Sequence, residues 1–321
     1  MIKIYKKSVL FLLTVIFFVL TVQLNCFADQ DTEATAKYVL SKTPLPISAS
    51  VGGEWAVIGI KRADVQPNAR YFENYIIRAR AKLDSGEEIG KKYTEYSRIA
   101  LAFSALGEDA KEYGILSYIN DYDNVIVQGI NGPIYALEAK HAVGDTDTET
   151  RDRYINYILS CQNADGSFGL GQNIPDVDIT AMAIGALCRY KDTNLKIYDA
   201  VNRAFLYLSS VQHSNGGFNE NSFDTEISCE STAQVIIAMK RYGLDENCGF
   251  FVKNGCTPYT ALSLFRCESG GYKHKTYDSQ ENQMSTEQAL LALTELKRDP
   301  AALKYDNIWF DANLKYIESL K

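Results

Sequence analysis

Three turn segments of one kind, recurring at nearly even intervals, constrain this chain more than any other feature. Gln162-Asn163-Ala164-Asp165-Gly166-Ser167-Phe168-Gly169 returns as Gln212-His213-Ser214-Asn215-Gly216-Gly217-Phe218 and, more loosely, as Glu268-Ser269-Gly270-Gly271-Tyr272. Gly166, Gly216 and Gly270 hold equivalent places in the three copies. A fixed period of roughly fifty residues marks a repeat architecture. An Asp-Gly or Asn-Gly pair makes a turn whose glycine supplies φ > 0, so each copy ends one helix and precedes another.

The segments after the turns align without gaps. They are Ile179-Thr180-Ala181-Met182-Ala183, Ser231-Thr232-Ala233-Gln234-Val235 and Ser285-Thr286-Glu287-Gln288-Ala289. Weaker relatives start at Glu54, Tyr93 and Gly132. All six are rich in small residues and apolar on nearly every side, which requires burial among other helices. Between them lie patterns with one polar face, at 70–84, 109–120, 149–162, 196–212 and 257–268, and 33–42 supplies a sixth. In one of these, Tyr154, Tyr157, Ile158 and Cys161 form the i, i+3, i+4, i+7 stripe of an amphipathic helix. Residues 124–130 are the one strand-like run and read as a connector; 306–320 read as an amphipathic tail on the outside. The expected fold is all-α: six inner helices ringed by six outer ones, an α/α toroid (α6/α6 barrel). An open helix-pair solenoid would leave one face of each pair wet.

Positions 1–28 stand apart from this pattern. Lys3, Lys6 and Lys7 precede an apolar run from Val9 to Leu24, and Cys26-Phe27-Ala28 supplies small residues before Asp29. This is the layout of a cleaved signal peptide; the run is short for a ~30 Å hydrocarbon core. The expectation is a secreted chain with one toroid domain over 29–321. With 33 basic and 40 acidic residues the net charge is −7, and loss of three lysines makes it 30 − 40 = −10. Nucleic-acid or anionic-membrane binding lacks an electrostatic basis, and no later segment is long and apolar enough to span a bilayer. Six cysteines remain after position 28, allowing fifteen pairings that the sequence does not choose among. No CxxC pair occurs, and His141, His213 and His274 are far apart in the chain, so neither a metal nor a cofactor is expected. GxGxxG, HExxH and GxSxG are absent, and Gly86-Glu87-Glu88-Ile89-Gly90-Lys91 has too few residues for a P-loop.

The turn Gln162–Gly169 with Asp176-Val177-Asp178-Ile179-Thr180-Ala181 resembles the repeat of the terpenoid cyclase and protein prenyltransferase superfamily. So do Glu54-Trp55, Tyr93-Thr94-Glu95-Tyr96-Ser97-Arg98, Gln128–Pro133 and Asn282–Gln288. The likeness covers roughly positions 35–298 and is strongest to single-toroid exported proteins of Gram-positive bacteria with prenyltransferase/squalene-oxidase-type repeats. It implies a toroid with a central cavity. It implies chemistry far less, because one fold hosts many functions.

Three sets of residues could carry function. Squalene-hopene-type cyclases have a D-x-D-D-T-A segment whose middle acid protonates an alkene. Asp178 matches that donor and Asp176 the first acid, while Ile179 replaces the third. Such an acid needs neighbours that keep it protonated; the bland alternative is that Asp176 caps an inner helix. The zinc site of protein prenyltransferases is broken here, with Asn254 for the acid beside Cys256 and Thr286-Glu287 where a histidine belongs. Lastly, the inner-helix starts would gather Glu54, Trp55, Tyr93, Glu95, Tyr96, Asp176, Asp178, Glu230, Glu287 and Gln288 at one mouth, with His274 nearby. Acids among aromatics suit a cationic or amphipathic ligand, a small molecule or a surface protein.

Overall fold

A computed structural model describes residues 30–297 apart from 69, 86–91, 172 and 222–223. The expected signal segment 1–28, the Gly86–Lys91 run and the expected tail 306–320 lie outside the described residues. Within the described residues, thirteen α-helices follow in order: α1 (30–42), α2 (Glu54–Arg62), α3 (Tyr71–Asp84), α4 (Tyr93–Leu106), α5 (Ile115–Ile119), α6 (Tyr122–Val125), α7 (Asn131–Ala142), α8 (Thr148–Ser160), α9 (Val177–Leu187), α10 (Leu195–Val211), α11 (Cys229–Tyr242), α12 (Pro258–Leu262) and α13 (Gln283–Leu296). The described residues contain isolated β-bridges and no longer strand.

The inner layer is α2, α4, α7, α9, α11 and α13. Each packs on the next, and α13 packs back on α2, so the ring is closed. Nine of the eleven residues of α9 are buried, whereas α8 buries only Thr150, Tyr154, Ile155 and Ile158. That contrast follows from composition: a helix covered on all sides is apolar all round, and a peripheral one buries a stripe. Two outer elements are shorter than their patterns. The 109–120 pattern breaks at Gly114, whose φ is 67°, into a 3₁₀ turn Ala110–Tyr113 and α5. The 257–268 pattern becomes α12 and a 3₁₀ turn Ser263–Phe265. The strand-like connector is helical, as α6 and a 3₁₀ turn Ile126–Gln128.

The repeated turns are the joints of the ring. Gly166, Gly216 and Gly270 have φ of 91°, 86° and 90°. A Cβ there would lie 2.5, 2.5 and 2.7 Å from the carbonyl oxygens of Arg203, Thr257 and Ala34, so each turn seats against the next outer element. Ala34 belongs to α1, which therefore closes the outer layer, with Arg266 Nε 2.9 Å from Asp31. The repeated threonines tie turn to helix. Thr180, Thr232 and Thr286 accept the amides of Phe168, Phe218 and Tyr272 at 2.9, 3.2 and 2.8 Å. Each hydroxyl donates to the N-cap carbonyl of its own helix, Asp176, Ser228 or Asn282, at 2.6, 2.8 and 2.7 Å. Thr232→Val removes the acceptor of a buried amide at constant shape. It should cost about 2 kcal/mol in urea unfolding, the penalty of one orphaned buried donor; no change would show that this joint does not matter.

Among the described residues Cys161, Cys188, Cys229, Cys248, Cys256 and Cys267 are not joined to one another in disulfides. No helix among the described residues is long and apolar enough to cross a membrane.

Candidate functional site

The inner helices begin on one face of the ring and their axial stripes enclose a cavity of about 110 Å³. Asp178, Ala181, Met182 and Gly185 come from α9 at helical spacing, and Gln234, Ile237 and Arg241 from α11. Trp55 of α2, Leu101 of α4, Ile134, Tyr135 and Glu138 of α7, and Gln288 and Leu291 of α13 complete the wall.

Asp176 and Asp178 divide the roles the sequence left open. Asp176 is the N-cap of α9, accepting the Ile179 amide at 2.9 Å. Asp178 lies on the cavity wall. Burial pushes its carboxyl up to about 7, against a hydrogen bond from Ser231 and aided by the charges of Asp176, Glu220 and Glu230. Its Oδ1 is enclosed and has no hydrogen-bond partner. Near it, Trp55 and Tyr135 stand 6.0 Å apart at 31°, and Gln234 Nε2 donates to Gln288 Oε1 at 2.8 Å.

Towards the ends of the inner helices the cavity wall is charged. Glu138 accepts from Arg241 Nη1 at 2.8 Å and Arg189 Nη1 at 2.9 Å. Glu295 accepts from Arg62 Nη1 at 3.0 Å and lies 3.7 Å from Arg241 Nε. Burial alone would lower the pKa of Arg241; Glu138 and Glu295 overcome it and raise it. Arginines at the ends of α2, α9 and α11 also face the negative ends of those helix dipoles.

Of the residues singled out in sequence, Trp55, Asp178 and Gln288 line the cavity. The rest are placed elsewhere. Glu54 accepts the Ala49 amide at 2.9 Å and the Tyr75 hydroxyl at 3.1 Å, 4.0 Å from Arg98. Glu287 accepts the Gly52 amide at 2.8 Å and Gln283 Nε2 at 3.0 Å, and burial pushes its carboxyl up to about 7. Glu230 accepts the Ser285 hydroxyl at 2.5 Å and holds His274 Nδ1 at 2.8 Å; His274 Nε2 is 3.4 Å from Glu220. Tyr96 stacks on Tyr118 at 3.9 Å with Tyr93 at 5.7 Å, and Glu95 is 3.9 Å from Arg98. Of the acids pooled at the expected mouth only Asp178 reaches the cavity wall, with others around it.

Tyr135, Glu138, Met182, Gln234 and Arg241 were missed. The signal was present: Met182, Gln234 and Gln288 each stand two residues after the repeated threonine, and that position faces the axis in all three repeats. Among the described residues no cluster of metal-ligating side chains occurs.

The sequence profile of the prenyltransferase alpha-alpha toroid domain matches residues 121–246. Solved structures of the same shape include the unsaturated glucuronyl hydrolase of Streptococcus agalactiae, at 10% identity and TM-score 0.61 over 85% of this chain and 91% of that one. A variant of the type II terpene cyclase MstE of Scytonema, with geranylgeranyl dihydroxybenzoate bound, matches at 15% identity and TM-score 0.57 over 84% and 97%. The unsaturated glucuronyl hydrolase of Bacillus sp. GL1 matches at 11% and 0.57 over 84% and 96%. At such identities the likeness is one of fold. No curated protein matches the chain. The profile match over residues 121–246, the closed double ring and the toroid neighbours together show that this chain has an α/α toroid fold of the kind seen in prenyltransferase-type toroid domains.

Proposed function

We propose that this toroid is a binding protein that takes a small organic cation, or the cationic head of an amphipathic molecule, into its axial cavity. The observation that carries the reading is Asp178: a carboxylate on the cavity wall, one oxygen without a partner, and no cation in ion-pair contact among the described residues. Ionising such a group in a confined space is costly until a counter-charge arrives. The faces of Trp55 and Tyr135 would add cation–π attraction, and the Gln234–Gln288 pair offers adaptable polar contacts.

The second reading, an isoprenoid cyclase with Asp178 as proton donor, is favoured by an acid still half protonated near pH 7. Size speaks against it: the axial cavity is too small to enclose a long isoprenoid chain, which needs a pocket several times larger. Isothermal titration with tetramethylammonium at pH 8 distinguishes the two. Binding that weakens at least tenfold in Asp178→Asn supports the carrier. No binding, together with turnover of a geranylgeranyl substrate that Asp178→Asn abolishes, supports the cyclase.

We also propose export. The support is Lys3, Lys6 and Lys7 ahead of the Val9–Leu24 run and the small residues of Cys26–Ala28. Protein recovered from culture medium should begin at Asp29 on N-terminal sequencing; an intact Met1 on the cell-associated chain would refute it.

A further inference from the structure

The large apolar side chains that remain exposed are unevenly distributed. Of eleven among the described residues, eight lie on the face where the inner helices begin: Leu45, Ile47, Val51, Val127, Leu170, Ile174, Tyr277 and Met284. Seven of them form two flanks. Leu45, Ile47 and Val51 precede α2, and Met284 opens α13; the two helices are tied by Gln283 Nε2 to Thr43 Oγ1 at 2.9 Å and by Glu287 to the Gly52 amide. Val127 precedes α7, and Leu170 and Ile174 precede α9. In the ring order α2, α4, α7, α9, α11, α13, the α13–α2 edge and the α7–α9 edge are diametrically opposite. Asp178, in the first turn of α9, lies on the cavity wall between them.

The centre is acidic. Asp176, Glu220 and Glu230 all act on Asp178, and the nearby bases are already engaged, His274 by Glu230 and Glu220, Lys275 by Asp224. Beside the second flank runs a groove of about 430 Å³, bordered by Ile130, Leu170, Gly171 and Asn173.

Resting on the axial-cation reading above, we propose that this face docks an extended basic segment of a partner protein. The segment lies across the mouth, its apolar side chains on the two flanks and one lysine or arginine entering the cavity towards Asp178. An extended occupant reaches both flanks with few residues. With neighbouring helices about 8–10 Å apart, opposite edges of a six-helix ring are on the order of 16 Å apart. An extended chain spans that in about five or six residues at ~3.3 Å each. Charge selects against the lipid alternative, since the acids between the flanks repel anionic headgroups.

Fluorescence anisotropy with a labelled heptapeptide, Leu-Ser-Ala-Lys-Ala-Ser-Leu, tests this. The peptide should bind at least tenfold more tightly than its analogue with a central glutamate. The surface substitutions Ile47→Ser and Leu170→Ser should each weaken it at least fivefold while leaving tetramethylammonium binding unchanged. If tetramethylammonium binds but the peptide ignores both rim substitutions, the docking proposal is overturned and the axial reading stands. If Asp178→Asn alters neither ligand, both fall. Co-sedimentation with phosphatidylglycerol vesicles that depends on the same rim residues, without peptide binding, also overturns it in favour of a membrane.

Discussion

Replacing Glu138 with alanine should lower the unfolding free energy by about 3–5 kcal/mol, the usual loss when one partner of a buried ion pair is removed. The side chain of Glu138 is 8% exposed and is shared by Arg189 and Arg241. Without it, Arg241 is left desolvated with only Glu295 to compensate it, and Arg189 loses its carboxylate. The bonds join α7, α11 and the segment after α9, so the loss falls on the ring itself rather than on a frayed end. Urea unfolding measures it directly. Glu138→Gln keeps the shape but not the charge and should recover only a minor part; a loss below about 1 kcal/mol in the alanine variant would mean that water already screens these charges.

Acidification should stabilise the protein over a range where most proteins are indifferent to pH. Asp178 and Glu287 both have carboxyls pushed up to about 7 by burial. An acid with a raised folded-state pKa binds its proton more tightly folded than unfolded. Stability therefore falls as pH rises from about 4, where unfolded carboxyls ionise, to about 7, and is level above that. The two together amount to a few kcal/mol at most. The opposite sign belongs to Asp145: burial would raise its pKa, but hydrogen bonds from Lys140, the Asp147 amide and Asn120 outweigh that and lower it. Its contribution is lost only below the unfolded value, near pH 4. The urea midpoint should thus peak near pH 4 and decline towards pH 7. Asp178→Asn should be more stable than the parent at pH 8 and equal to it near pH 4; a flat profile in the parent would contradict the whole account.

The ring was legible because its joints are local. Turn glycine, aromatic, N-cap and threonine recur close together in the chain, and the hydrogen bonds among Phe168, Asp176 and Thr180 are a short-range consequence of that string. Inner and outer roles could be read from which helices have a polar face. The cavity wall was only partly legible. Asp178 and Trp55 attracted notice as chemical types, whereas Glu138 and Arg241 reach the wall through helical phase, which no local motif announces. Glu54 and Glu287 were over-read for the converse reason. Their partners, Tyr75 and the Gly52 amide, lie 21 and 235 residues away, beyond what pattern can pair.

Closure between α13 and α2 has a kinetic consequence. An open stack of repeats can nucleate anywhere and grow by neighbours, protected at each end by a capping unit. Here the last unit serves as cap to the first, across pairs such as Arg62–Glu295 that are 233 residues apart. Loop-closure entropy must be met before that seam repays it, which raises contact order and slows the final step. Until the seam zips, five interfaces stand without the sixth, and trimming either terminus exposes both.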